Sequence, residues 1–149
     1  MAASLERTLL ADSIGKKAAF LAVAVEAIGI ASRVGVAAAR AEELAGDARH
    51  RERWPAVTAR AVGTLADLVE LAFPLLLVGG SLIAWKRGDL DDELEGARRA
   101  VVALGGGAIE LRDTAVSGLE GHRLVIVTKQ RPTPPDFPRD PALRSRRPW

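Results

Sequence analysis

Asp12, Arg60 and Lys86 each follow or close a short apolar segment, at residues 5–11, 56–59 and 81–85. Ligands of open α/β sheets bind beyond the carboxyl ends of the strands, so charges placed there are the first candidates for chemistry. A carboxylate such as Asp12 can accept two neighbouring hydroxyls, or it can cap the helix that follows. Arg60 lies in an apolar context where an unpaired guanidinium would be costly. It should therefore meet a carboxylate, a phosphate or a base, with a structural salt bridge as the plainer alternative. Lys86 and Arg87 could touch phosphate, or Lys86 could snorkel along the surface. Gly105, Gly106 and Gly107 follow a helical pattern rather than a strand and lack the Gly-Lys-Ser/Thr continuation of a phosphate loop. They read as a helix stop. The chain has no cysteine and only two histidines, His50 and His122, which removes disulfides, thiolate nucleophiles and a cysteine or histidine metal site. No metal is expected.

Positioning these residues requires alternating strands and helices. Residues 5–11 read as a strand, after which Ile14, Ala18, Leu21, Val25 and Ile28 repeat at helical spacing, with Ser13 as the expected cap and Gly29 as the stop. A strand at 34–39 leads into a polar stretch ending at Arg53. Glu42 and Glu43, at its start, are either ligand-facing or an ordinary solvated helix start. Leu65, Leu68, Val69 and Ala72 resume helical spacing until Pro74. Gly79-Gly80 reads as a turn before a buried strand at 81–85. The clearest helix runs through Leu90, Leu94, Ala97, Val101 and Leu104, and Asp91, Asp92 and Glu93 in its first turn suit the helix dipole. Strands at 108–112 and 123–127 leave no room for a helix between them and should pair antiparallel. The whole predicts an α/β fold, a mostly parallel sheet covered on both faces and ending in an antiparallel hairpin. Many enzymes share that plan, so it identifies no function.

With 149 residues, 48% hydrophobic and 27% charged, the chain reads as a globular domain. Its net charge of +2 is uneven, because residues 129–149 sum to +4 and residues 1–128 to −2. A cationic segment on a mildly acidic body is either a phosphate-binding arm or a solvated end. Residues 131–149 are proline-rich and should wrap the surface in extended form. The expected division is a body at 1–128 and a basic tail at 129–149. The most apolar stretch, 72–85, is shorter than a membrane span and is interrupted by Pro74, Gly79 and Gly80. Glu6 and Asp12 near the start argue against a secretion signal, so a cytoplasmic location is expected.

Four strings resemble the RsmG/GidB family of S-adenosylmethionine-dependent methyltransferases, which methylate a guanine of small-subunit ribosomal RNA. They are Leu9-Leu10-Ala11-Asp12-Ser13 with Lys16-Lys17-Ala18-Ala19-Phe20-Leu21, then Arg40-Ala41-Glu42-Glu43, then Val57-Thr58-Ala59-Arg60-Ala61-Val62, and then Gly79-Gly80-Ser81-Leu82-Ile83-Ala84-Trp85-Lys86. The ending, with Pro132-Thr133-Pro134-Pro135, Phe137-Pro138-Arg139 and Arg146-Arg147-Pro148, is similar to the family's proline-rich close. The resemblance implies a Rossmann-like methyltransferase sheet, S-adenosylmethionine as cofactor and 16S rRNA or the small subunit as partner. It implies that Asp12, with Ser13, meets the cofactor's ribose, that the backbone of Ala41 and Glu42 meets the adenine edge, and that Arg60 serves both cofactor and reaction. Arg123 resembles a family arginine at the start of the last strand and is the second candidate for catalysis. Lys86, Arg87, Lys129, Arg139, Arg146 and Arg147 are the candidates for RNA.

Departures accompany the likeness. Family members begin with helices, a first strand and a glycine-rich turn that cradles the cofactor, whereas this sequence starts at what would be the second strand. In that fold the first strand lies centrally, so without it two half-sheets with unpaired inner edges are expected. Three readings follow. The chain is part of a guanine-N7 methyltransferase whose first strand comes from a missing N-terminal segment or a second chain. Alternatively it is an inactive RNA-binding fragment of a shortened or split gene, or a structural partner that completes its sheet with another chain. The first requires Asp12, Ala41, Glu42 and Arg60 to converge around one nucleoside-sized hollow.

Overall fold

The computed structural model describes residues 8–60 and 62–149. It divides into two compact units, Met1–Leu44 and Ala45–Trp149. Residues 5–7 of the first expected strand lie outside the described residues.

In the first unit β1 (Thr8–Ala11) pairs in parallel with β2 (Val34–Ala37), from Thr8↔Val34 to Ala11↔Ala37. Parallel neighbours need a crossover, and α1 (Gly15–Ala27) supplies it. Its apolar face is narrower than the spacing predicts. Ala18 and Val25 are buried, but Ile14 and Ile28 at the two ends are exposed, as is Phe20. Gly29 ends the helix as expected, with its N–H on the Glu26 carbonyl. Ser13 makes no cap; the Asp12 carboxylate instead accepts from the Ile14 N–H at 2.8 Å. After β2 the polar stretch that read as a loop begins with α2 (Ala41–Gly46), within which the division between units falls. The Glu43 carboxylate reaches back to the Arg40 N–H at 2.7 Å and fixes that start.

The second unit holds β3 (Trp54–Arg60), α3 (Leu65–Ala72), β4 (Leu76–Arg87), α4 (Asp91–Ala103), β5 (Gly106–Asp113), β6 (His122–Lys129) and α5 (Pro141–Arg146). Its sheet has the order β3-β4-β6-β5. β3 and β4 are parallel, and β6 is inserted antiparallel between β4 and β5, the expected hairpin. The two sheets are separate among the described residues, as expected without a first strand.

Alternate residues of this sheet, Leu82, Ala84, Val125 and Val127, join Leu65, Val69 and Phe73 of the α3 region and Ala97, Val101 and Leu104 of the α4 region in one buried core. Each large apolar side chain enclosed there contributes roughly 1.5–3 kcal/mol. Within this unit the core lies on one face of the sheet only, not on both. Thr64 caps α3 by accepting from the Asp67 N–H.

Gly79-Gly80 is not a turn before a strand. β4 runs straight through it, and a bulge shifts the register with β3 between Trp54 and Ala56. A Cβ on Gly80 would stand 2.9 Å from the Pro55 carbonyl oxygen, so only glycine lets the two backbones approach so closely. Gly105 stops α4 as expected, at φ +90°, and a Cβ there would meet the Arg131 carbonyl oxygen at 2.6 Å.

The tail is neither free nor wholly extended. Asp140 accepts from the Ala142 N–H at 2.8 Å, and with Pro141 in the first turn it starts the short helix α5. Phe137 and Trp149 stack on each other at 5.8 Å and pack against the core.

Candidate functional site

The first unit brings two of the expected cofactor contacts to one edge. Asp12 follows β1, its N–H bonded to the Ala37 carbonyl at 3.2 Å, and Ala41 and Glu42 open the helix just beyond β2. Asp12 is committed to the plainer role in part. Its Oδ1 accepts from the Ile14 N–H just before α1, while Oδ2 lies 4.0 Å from the Lys17 ammonium. The Glu42 carboxylate is 3.7 Å from the Arg40 guanidinium. Ser13 is exposed beside them. Arg60 belongs to the second unit.

In the second unit Arg60, Trp85, Lys86, Arg87 and His122 line a hollow of about 230 Å³. It lies where β3 and β4 end and the antiparallel β6 begins, since Arg60 pairs with Trp85 and Arg87 with His122. The apolar context read for Arg60 does not bury it. It is exposed, and neither its side chain nor that of Arg87 has a hydrogen bond or ion pair among the described residues, so the structural salt bridge offered as its plainer role is not formed there.

Lys86 differs. Its ammonium donates to the Gly63 carbonyl at 2.6 Å and to Glu93 at 2.5 Å, and the same Glu93 oxygen accepts from the Leu65 N–H at 2.6 Å. The side chain is 13% exposed, so its charge is spent joining β4 to α3 and α4 rather than offered to phosphate. Arg123, on the face of the sheet opposite to His122, does not line the hollow. It pairs instead with Asp113 at 2.9 Å. Its neighbour His122 is the residue that lines the site, with Nδ1 3.1 Å from the Leu119 carbonyl oxygen.

Two of the tail cations are also corrected. Lys129 is fully buried, donating to Glu52 at 2.6 Å and to the Phe73 and Leu76 carbonyls at 2.8 and 2.7 Å. Burial drives its pKa below the usual lysine value, opposed by the Glu52 contact. Arg139 binds the buried carboxylate of Glu70, with its NH2 nitrogen at 2.6 Å. Burial pushes Glu70 up, but the bonds from Arg139 and from the Trp149 indole outweigh it, and its pKa lies below the ordinary carboxylate value. Arg146 and Arg147 are exposed.

The pattern describing the rRNA small subunit methyltransferase G (GidB) proteins matches residues 1–116. The chain belongs to this family. Among relatives named ribosomal RNA small subunit methyltransferase G, that of Roseiflexus castenholzii is 42% identical over 139 residues, covering 93% of this chain and 59% of the relative. That of Rubrobacter xylanophilus is 42% identical over 146 residues, covering 95% and 56%. The chain thus spans less than two thirds of the length of these relatives. The fold has solved counterparts. An S-adenosylmethionine-dependent O-methyltransferase from Thermotoga maritima shares a TM-score of 0.65 at 12% identity, over 86% of this chain and 51% of that one. An rRNA methylase from Streptococcus thermophilus shares 0.56 at 18%, over 84% and 74%. The fold is therefore the Rossmann-like α/β fold of methyltransferases. Among the described residues no helix is long and apolar enough to cross a membrane, and no group of three His, Asp or Glu could hold a metal ion.

Sequence reasoning missed Trp85 and His122 as lining residues. Strand parity from Arg60 across the aligned ends would have found both.

Proposed function

We propose that the chain is part of an enzyme that transfers a methyl group from S-adenosylmethionine to N7 of a guanine in 16S rRNA. The observation that supports this best is the placement, in a member of the methyltransferase G family, of hydroxyl- and phosphate-seeking groups at the carboxyl ends of parallel strands. Asp12 holds the cofactor's ribose through Oδ2, the oxygen not bonded to the Ile14 N–H, with Ser13 beside it. The backbone of Ala41 and Glu42 meets the adenine edge. Arg60 steadies the reacting pair, and Arg87, Arg146 and Arg147 answer the RNA phosphates. When bound, the cofactor supplies an activated methyl on sulfonium. Guanine N7 already carries a lone pair, so the chain's residues need only hold donor and acceptor in line. The work is cytoplasmic, on the small subunit or its RNA.

The test is methylation of protein-free and subunit-bound 16S rRNA with labelled donor, by the chain produced together with the coding sequence upstream of it. Transfer to a guanine N7 that falls at least about 100-fold in Asp12→Asn supports the proposal; no transfer to either substrate refutes it. A second reading, a non-catalytic partner that pairs its sheet with another chain, is favoured by β3 having β4 as its one neighbour among the described residues. A monodisperse monomer in solution would count against it.

A further inference from the structure

Residues 62–64, just beyond the carboxyl end of β3, are all exposed. Polar contacts hold them in place of burial. Thr64 Oγ1 donates to Asp67 Oδ2 at 2.8 Å and accepts from the Asp67 N–H at 3.2 Å. The Gly63 carbonyl accepts from the Lys86 ammonium at 2.6 Å. The Leu65 N–H, in the first turn of α3, has no partner within its own helix. It goes to Glu93 Oε1 at 2.6 Å, and that same oxygen meets the Lys86 ammonium at 2.5 Å. Lys86 stands two residues beyond buried Ala84 and so on the side of the sheet that α3 and α4 cover. Glu93 sits in the first turn of α4, yet its carboxylate serves the start of a different helix. The two side chains are 13% and 27% exposed. As a source of stability such a pair is weak, because apolar residues of similar size often do as well. What apolar residues cannot do is hold a carbonyl and an N–H at fixed places on either side of an exposed loop.

We infer that Lys86 and Glu93 are positioning residues for methyl transfer, fixing residues 62–64 as one wall of the reaction site. The inference rests on the enzyme reading above and adds to it two residues that act without touching cofactor or RNA. Ligands of open α/β sheets bind beyond the carboxyl ends of the strands, so the chain leaving β3 borders that site. Transfer in line depends steeply on placement, and a shift of about 1 Å can cost about 100-fold in rate. The charge of Lys86, expected from the sequence to answer phosphate, thus works through the loop.

The test measures methyl transfer to 16S rRNA by the chain produced together with the coding sequence upstream of it, well below the melting temperature of each variant. Lys86→Met should lower kcat about 10- to 100-fold and leave KM for the RNA within about 3-fold of the parent. Glu93→Leu should repeat that loss, and it carries the same expectation if Lys86→Met does not fold. Glu93→Gln keeps an oxygen that can accept from both Leu65 and Lys86, and should stay within about 5-fold of the parent. In the chain itself, Glu93→Leu should speed amide exchange at Leu65 about 10-fold, a readout that needs no activity. Parental kcat in folded Lys86→Met and Glu93→Leu overturns the inference. So does a Lys86→Met enzyme with raised KM and a salt dependence of log affinity lowered by about one, the signature of a phosphate contact. The two readings fail in different ways. A parent that transfers no methyl group refutes the enzyme and this role with it, whereas an active parent indifferent to both substitutions refutes the positioning role alone.

Discussion

Glu70→Gln should be among the most damaging single-atom changes in this chain. The Glu70 side chain is 0% exposed. Its two oxygens accept from the Arg139 backbone N–H at 2.8 Å, from Arg139 Nε at 3.0 and 3.2 Å, from the Arg139 NH2 nitrogen at 2.6 Å and from the Trp149 indole at 2.6 Å. The Arg139 guanidinium also lies 4.7 Å from the Trp149 ring centre. Glutamine keeps the volume but turns an amide donor toward a group of donors and leaves the guanidinium unneutralised. Removing one member of a buried pair costs about 3–5 kcal/mol. Arg139 is 18% exposed and can relax in part toward water, which places the loss near 3 kcal/mol. For a unit of this size that lowers the melting temperature by about 12 °C or more.

Urea unfolding followed by tryptophan emission measures this loss, because Trp54, Trp85 and Trp149 all lie in the second unit. A loss below about 1 kcal/mol would refute the claim that this clasp holds the tail. Replacing both partners, in Glu70→Leu with Arg139→Met, should recover much of the deficit. The pH dependence has a definite sign. The folded pKa of Glu70 lies below its ordinary 4.5, so its contribution is complete above that value and fades as pH falls through the folded one. Acid should therefore shrink the difference between parent and Glu70→Gln.

Lys129→Met should cost about 1–3 kcal/mol, because the Phe73 and Leu76 carbonyls would lose their donor while Glu52 can turn to water; urea midpoints measure it. Gly105→Ala should lose about 2 kcal/mol or more to strain at φ +90° and to contact with the Arg131 carbonyl, seen as a lower melting temperature. Asp140→Ala removes the cap of α5 and should cost about 1 kcal/mol, mostly as faster amide exchange from Ala142 to Arg146.

Most of the element order was legible because period and punctuation agree. The α4 repeat, its acidic first turn and Gly105 all point to one helix, and the two strands without room for a crossover could only pair antiparallel. Gly79-Gly80 misled because the same dipeptide serves a turn or a bulge, and only the carbonyls of Trp54 and Pro55 decide between them. The Asp140-Pro141 helix start was overlooked because prolines nearby suggested extension. The site was less legible than the fold. Asp12, Arg60 and Arg87 could be read at strand ends, but the tail's charge count could not reveal that Glu52 and Glu70, far earlier in the chain, consume Lys129 and Arg139. Summed charge carries no information about who is buried with whom. Strand parity does carry information about direction, and it separates Arg123 from His122.

Among the described residues β3 lies at one margin of its sheet, with β4 beside it. A strand with one paired side leaves about half of its main-chain donors and acceptors facing outward. Such a row templates the addition of any extended peptide that drifts past. In purified form the protein should thus be limited by crowding before heat, clouding first in the most concentrated samples.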